Sequence, residues 1–244
     1  MRLQRFYCRE ALAPGARLEL PEPVARHAVR VLRLTAGAEI TLFDGRGGEY
    51  PARIEHIERE RVSVSLGAWR DSGCESPLDI TLVQAVQAAE KMDLTIQKAV
   101  ELGVTRIVPV ESRRSVVRLS GERAAKRVAH WQGVAAAACE QCGRNTLPSV
   151  GTLESVEQWL ARPADNAIRL MLAPGATTTL PEIAPKGALQ LLIGAEGGLE
   201  PREIEAAASA GFVAVRLGPR ILRTETAGLA ALAAIQALWG DFRS

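Results

Sequence analysis

Leu217-Gly218-Pro219-Arg220-Ile221-Leu222-Arg223-Thr224-Glu225-Thr226-Ala227 is the stretch on which the reading of this chain turns. A β-branched run from Phe212 to Leu217 leads into it, and a long apolar run from Gly228 to Trp239 leads out. That order predicts a strand, a tight loop and a helix start, with the polar chemistry at the junction. Gly218 and Pro219 mark the turn. Thr224 is placed to cap the helix, leaving free backbone N–H groups at the end of the loop. Upstream, Leu191-Leu192-Ile193-Gly194-Ala195-Glu196-Gly197-Gly198 has the same form and precedes a helical run from Glu200 to Ala210. Two such junctions are expected to build one ligand site at the carboxyl ends of parallel strands.

Working outward, the 244 residues are 47% apolar and 24% charged, the composition of a globular chain. Net charge is +2, which argues little about partners by itself. No stretch is long and apolar enough to span a bilayer, and Met1 to Arg5 lack the apolar core of a signal peptide, so a cytoplasmic protein is expected. Cys8, Cys74, Cys139 and Cys142 are then expected to be free thiols.

Residues 1–72 read as a small β-rich domain. Runs over Ala38 to Phe43, Glu49 to Ile57 and Arg61 to Leu66 alternate, with a hairpin signal at Asp44-Gly45-Arg46-Gly47-Gly48. One helix, Pro23 to Leu34, interrupts them. Asp71 to Pro77 is turn-rich and reads as the linker. From residue 73 to 244 the pattern changes to alternating β and α. Strands are expected over Asp79 to Val86, Val104 to Val110 and Ala167 to Ala173, besides the two junction strands. Helices are expected over Lys91 to Leu102, Ser120 to Gln141 and Leu153 to Leu160. The fold class is α/β, with about five largely parallel strands and helices on both faces.

Charge is local. Between Gly103 and His130, Arg106, Arg113, Arg114, Arg118, Arg123, Lys126 and Arg127 are opposed only by Glu111 and Glu122. Such a face suits a phosphate backbone, and it equally suits a solvated helix. Arg2, Arg5, Arg9, Arg30 and Arg33, near Phe6 and Tyr7, suit unpaired RNA, or else surround a core phenylalanine. Cys139-Glu140-Gln141-Cys142 is a lone C-x-x-C without the four ligands a zinc site needs, and no metal is expected. The loop Gly194 to Gly198 lacks the Lys-Ser/Thr of a Walker A sequence and the spacing of a dinucleotide fold. Its glycines allow a ligand to approach the backbone closely.

The chain resembles the RsmE family, bacterial 16S rRNA (uracil-N3) methyltransferases of the SPOUT superfamily. The carriers are Arg5-Phe6-Tyr7, His27-Ala28-Val29-Arg30-Val31-Leu32-Arg33 and Gln97-Lys98-Ala99-Val100-Glu101-Leu102-Gly103-Val104 ahead of Pro109. The others are Glu140-Gln141-Cys142-Gly143-Arg144, Ile193 to Gly198 and Leu217 to Ala227. The sequence departs from the family at Ala195, where proline is usual, and at Leu199-Glu200, where an aromatic and serine are usual.

The resemblance implies a PUA-like barrel that holds RNA, then a SPOUT methyltransferase domain with a deep trefoil knot. It implies a homodimer with each active site at the subunit interface, and S-adenosylmethionine bound by the knot loops. The reaction implied is methyl transfer to N3 of one uridine in 16S rRNA of the small subunit, near the decoding centre. The alternatives are a SPOUT enzyme acting on another RNA atom and a non-catalytic RNA-binding protein. The catalytic residues expected are Arg223, Thr224, Glu225, Arg144 and Glu140. The cofactor loops are expected to be Leu172 and Ala173, then Ile193, Gly194, Glu196, Gly197 and Gly198, then Leu217, Gly218, Ile221 and Leu222. Arg5, Arg30, Arg33, Arg113 and Arg114 are expected to hold RNA.

Overall fold

Strand alternation decides the first sheet. In β5 (Arg61–Leu66), Val62, Val64 and Leu66 are buried and the residues between them are not. The computed structural model describes residues 4–163, 166–183 and 187–243, so Met1 to Leu3 lie outside the described residues. Two compact units emerge: Met1–Glu75 with Ala136–Leu147, and Ser76–Ala135 with Pro148–Ser244. This differs from a single cut between residues 72 and 73. The helix α3 (Gly121–Cys142) starts in the second unit, and its last turns count with the first.

In the first unit, β1 (Gln4–Tyr7), β2 (Arg17–Glu19), β3 (Glu39–Phe43), β4 (Tyr50–Glu58) and β5 form a sheet in the order β1-β3-β4-β5-β2. The β1–β3 pairing is parallel and the others are antiparallel. Phe6, Ile40, Leu42, Ile54, Val62 and Val64 meet in its core. The helix expected over residues 23–34 is shorter and changes pitch. An α-helical piece, α1 (Glu22–Arg26), passes into a π-helical turn over His27–Val31, where Leu32 N–H donates to His27 O at 3.1 Å.

The second unit holds an all-parallel sheet. Its strands are β6 (Ile80–Ala85), β7 (Arg106–Glu111), β8 (Ser149–Val150), β10 (Ile168–Leu172), β11 (Leu189–Ile193) and β12 (Val213–Val215). The order is β12-β10-β11-β6-β7-β8, and the two-residue β9 (Glu154–Ser155) pairs with β7. The central β11 is buried along its whole length, as a parallel strand covered on both faces must be. Val83, Val108, Val110, Met171, Leu192 and Phe212 build one core cluster.

Helices α2 (Ala89–Glu101), α4 (Val156–Leu160), α5 (Pro201–Ser209) and α6 (Thr224–Trp239) complete the unit. The helix expected from Leu153 starts only at Val156. Ser155 caps it, accepting from Gln158 N–H at 3.1 Å while Gln158 Oε1 accepts from Ser155 N–H at 2.9 Å. α6 packs against α2 and β11. Its polar residue Gln236 is buried and donates to Leu102 O at 2.9 Å, satisfying a carbonyl at the end of α2. Glu200, one of the departures from the family pattern, precedes α5, and its N–H donates to Glu203 Oε2 at 2.7 Å.

Candidate active site

Three segments leave the carboxyl ends of β10, β11 and β12, and the first turn of α6 meets them. Together they line a cavity of about 380 Å³. All eleven residues read from the sequence as cofactor loops are on its wall: Leu172, Ala173, Ile193, Gly194, Glu196, Gly197, Gly198, Leu217, Gly218, Ile221 and Leu222. Thr224 is there too, with Arg114, Arg216 and Arg220. The wall is mainly aliphatic and backbone, with few polar groups, as small-molecule sites are.

Backbone geometry explains the glycines. The glycine loop closes on itself through Gly198 N–H donating to Ala195 O at 2.8 Å, and Gly198 sits at φ +73°. A Cβ on Gly194 would lie 2.9 Å from Gly198 C and from Leu199 N. The two strands of the loop can approach only because residue 194 has no side chain.

Thr224 corrects one expectation. The residue before the helix is Arg223, with φ −63° and ψ 152°, and its side chain makes no capping bond. Thr224 is the first helical residue, and it is buried. Its hydroxyl donates to Gly194 O at 2.6 Å and accepts from Gln84 Nε2 at 3.2 Å. It therefore joins the two glycine junctions instead of capping one of them.

Glu225 follows on α6. The backbone N–H at the helix start, then the nearby Lys91 ammonium, hold its carboxyl below the usual range against the opposing effect of burial. Lys91 Nζ lies 3.2 Å from Glu225 Oε1. Sequence reasoning missed Lys91, Gln84 and Gln87. A signal existed for Lys91: a cation in the first turn of a helix opposes the macrodipole and calls for an acidic neighbour.

Glu140 and Arg144 belong to the first unit. Glu140 Oε1 accepts from Tyr7 N–H at 2.8 Å, and burial pushes its carboxyl above the usual range. Arg144 is buried, and its Nε donates to Glu75 Oε2 at 2.9 Å. The other Glu75 oxygen accepts from the N–H groups of Asn145 at 2.8 Å and Thr146 at 2.9 Å.

The expected RNA contacts divide. Arg5 is corrected: its side chain is only 7% exposed and pairs with Glu49. It also donates to Asn145 Oδ1 at 2.6 Å and to the carbonyls of Gly143 and Arg144 at 3.2 Å each. Phe6 beside it is core, so neither residue offers a face for a base. Arg30 is exposed with Glu60 2.9 Å away, and Arg33 is exposed at φ +52°. Arg113 is exposed, with Nε donating to Glu157 at 3.0 Å. Arg114 reaches the glycine loop, donating to Gly197 O at 2.8 Å.

Burial pushes the Cys139 thiol up to about 12, the opposite of a metal-binding thiolate. Among the described residues no group of three or more His, Cys, Asp or Glu is placed to hold a metal ion, and no helix is long and apolar enough to cross a membrane.

Fold and site define a class: an RNA methyltransferase with a PUA domain. The family model described as RNA methyltransferase domain matches residues 74–236, and that described as RNA methyltransferase PUA domain matches residues 20–67. Ribosomal RNA small subunit methyltransferase E of Buchnera aphidicola (from Schizaphis graminum) is 34% identical over 241 residues, 98% of each chain. The enzyme of that name from Neisseria gonorrhoeae, solved bound to S-adenosyl methionine, is 44% identical with a TM-score of 0.93, covering 99% of this chain and 100% of that one. A putative methyltransferase from Legionella pneumophila, solved with the cofactor SAM, is 36% identical with a TM-score of 0.95 over 99% and 100% of the two chains. The chain belongs to the ribosomal RNA small subunit methyltransferase E family.

Proposed function

We propose that this protein transfers a methyl group from S-adenosylmethionine to N3 of one uridine in 16S rRNA of the small ribosomal subunit, in the cytoplasm. The observation that carries the reading is the cavity at the three strand ends, with its glycine loop fastened to α6 by Thr224. The cavity fits the cofactor in kind. It has aliphatic walls at Leu172, Ile193 and Leu217, and its glycine loop leaves backbone open to a ligand. The bound cofactor supplies an activated sulfonium methyl, so the chain's own residues mainly have to orient it and the nucleophile.

The N3–H of uracil must lose its proton. Glu225, held ionised, is an acceptor at neutral pH but a weak base. Arg223 beside it suits stabilisation of the uracil anion. Burial pushes the Glu140 carboxyl up, as suits a proton acceptor, while its Oε1 accepts from Tyr7 N–H within the first unit. Arg144 would fix the turn that follows Glu140. Arg30, Arg33 and Arg113 would contact RNA phosphates, and Arg114 would serve both RNA and the glycine loop.

The knotted SPOUT topology and the homodimer are part of the same proposal. Leu229, Ala230, Ala233, Ala234, Leu238 and Trp239 on α6 stay half-exposed, which suits cover by a second copy of the helix. Sedimentation across a wide dilution range is then expected to give a dimer down to nanomolar concentration. A well-folded monomer at micromolar concentration would remove the shared interface.

The test of function is nucleoside mass spectrometry of small-subunit rRNA. A deletion strain should lack N3-methyluridine at one position and regain it with the wild-type gene. Loss of a ribose methyl instead would move the assignment to another RNA atom. Unchanged rRNA together with retained RNA binding would mark a non-catalytic protein.

A further inference from the structure

We propose that Lys91 is a positioning residue for methyl transfer, a cation that holds the glycine loop after β11 against the start of α6; the inference rests on the methyltransferase reading of this cavity. Lys91 stands in the first turn of α2. Its Nζ lies 3.2 Å from Glu225 Oε1 and 3.8 Å from Glu196 Oε1. Glu196 is on the cavity wall, in the glycine loop, and Glu225 is the second residue of α6. One ammonium thus meets one carboxylate from each of the two junctions that form the cavity.

The surroundings hold this arrangement in place. Oriented so that both ends of its amide are satisfied, Gln87 accepts from Glu225 N–H at 3.2 Å. Its nitrogen donates to Lys91 O at 3.2 Å and to Thr95 Oγ1 at 2.9 Å. Gln87 therefore fixes the backbones that carry Lys91 and Glu225. The charged groups facing the pair are Lys91 from α2, Glu196 from the glycine loop, and Arg223 and Glu225 at the start of α6. The end of β6 contributes only neutral amides, Gln84 and Gln87. Glu225 Oε2 is buried and has no hydrogen-bond partner among the described residues. With Lys91 removed, two carboxylates would be left facing each other, and the Thr224 hydroxyl on Gly194 O would hold the glycine loop to α6 without the charge contact at Glu196.

Two side-chain replacements separate positioning from general packing. Lys91→Met keeps the length and removes the charge, and Lys91→Arg keeps the charge. At pH 8, Lys91→Met is expected to bind S-adenosylmethionine about fivefold more weakly in calorimetry, as loss of a partly buried ion-pair network implies. The deficit should shrink toward pH 5. Without the cation the Glu225 carboxyl is held down less, so it takes up a proton at a higher pH and the repulsion is relieved. The wild type should show no such recovery, and Lys91→Arg should restore affinity.

Hydrogen exchange of the cofactor-free protein gives a second readout. Residues 194–199 should exchange faster in Lys91→Met and return toward wild type in Lys91→Arg. Wild-type affinity at every pH in Lys91→Met, or a loss that is independent of pH and not restored by arginine, overturns the proposal. If the wild type itself binds no S-adenosylmethionine, the cofactor reading fails instead. The exchange of residues 194–199 then decides for Lys91, faster in Lys91→Met supporting its role and unchanged overturning it.

Discussion

Gly194→Ala is expected to weaken S-adenosylmethionine binding by about 10- to 100-fold, the equivalent of the roughly 1–3 kcal/mol that one extra methyl costs in a site with no room for it. The added Cβ would stand 2.9 Å from two backbone atoms, Gly198 C and Leu199 N. Neither can swing away as a flexible side chain would. The loop must open, and opening it breaks the bond from Gly198 N–H to Ala195 O. It also moves Gly194 O, the acceptor of the Thr224 hydroxyl. The damage therefore spreads from one glycine to both junctions. At Gly218 a different cause applies: φ is +76° and space around a Cβ is open, so Gly218→Ala costs backbone strain without a clash and should weaken binding less. Calorimetry on both variants checks the order. Equal affinities in Gly194→Ala and wild type would show that the loop does not border the cofactor.

The backbone of this site was legible because glycine and proline punctuate it, and because β11 is a continuous apolar run. Alternation at Val62, Val64 and Leu66 was equally plain. What could not be read depends on residues far apart in the chain. Thr224 looks like a cap, since cap and first helical residue differ by one position. Its actual partner, Gly194 O, is 30 residues away. Lys91 reads as an ordinary helix-surface lysine until Glu196 and Glu225 are folded against it. Residues 136–142 continue the helix that precedes them, and nothing local says that they count with the first unit. Arginines near an aromatic at the N-terminus suggested RNA. Only the fold puts Glu49 and Asn145 around Arg5.

Arg5→Met is expected to destabilise the first unit by about 2–4 kcal/mol, somewhat less than the usual loss when one member of a buried ion pair is removed. The reason is the set of partners that would be left behind. Glu49 is 6% exposed in its side chain, and it would keep only Arg70, which is about half exposed. Burial alone pushes the Glu49 carboxyl up, but the Arg5 and Arg70 guanidiniums outweigh it and hold the carboxyl below the usual range. The Asn145 side-chain oxygen and the carbonyls of Gly143 and Arg144 would lose a donor as well. Arg5→Lys should recover only part of the stability, because a single ammonium cannot reproduce a fork that serves a carboxylate, an amide and two carbonyls together. The Glu49 contribution also carries a pH signature. A carboxyl whose folded pKa is depressed stabilises above its unfolded pKa and loses that stability as pH falls through the folded value. The gap between wild type and Arg5→Met should therefore narrow in acid. Hydrogen exchange in β1 and β3, followed against pH, measures this directly. The opposite pattern, unchanged protection with RNA affinity lost, would return Arg5 to the RNA-binding surface.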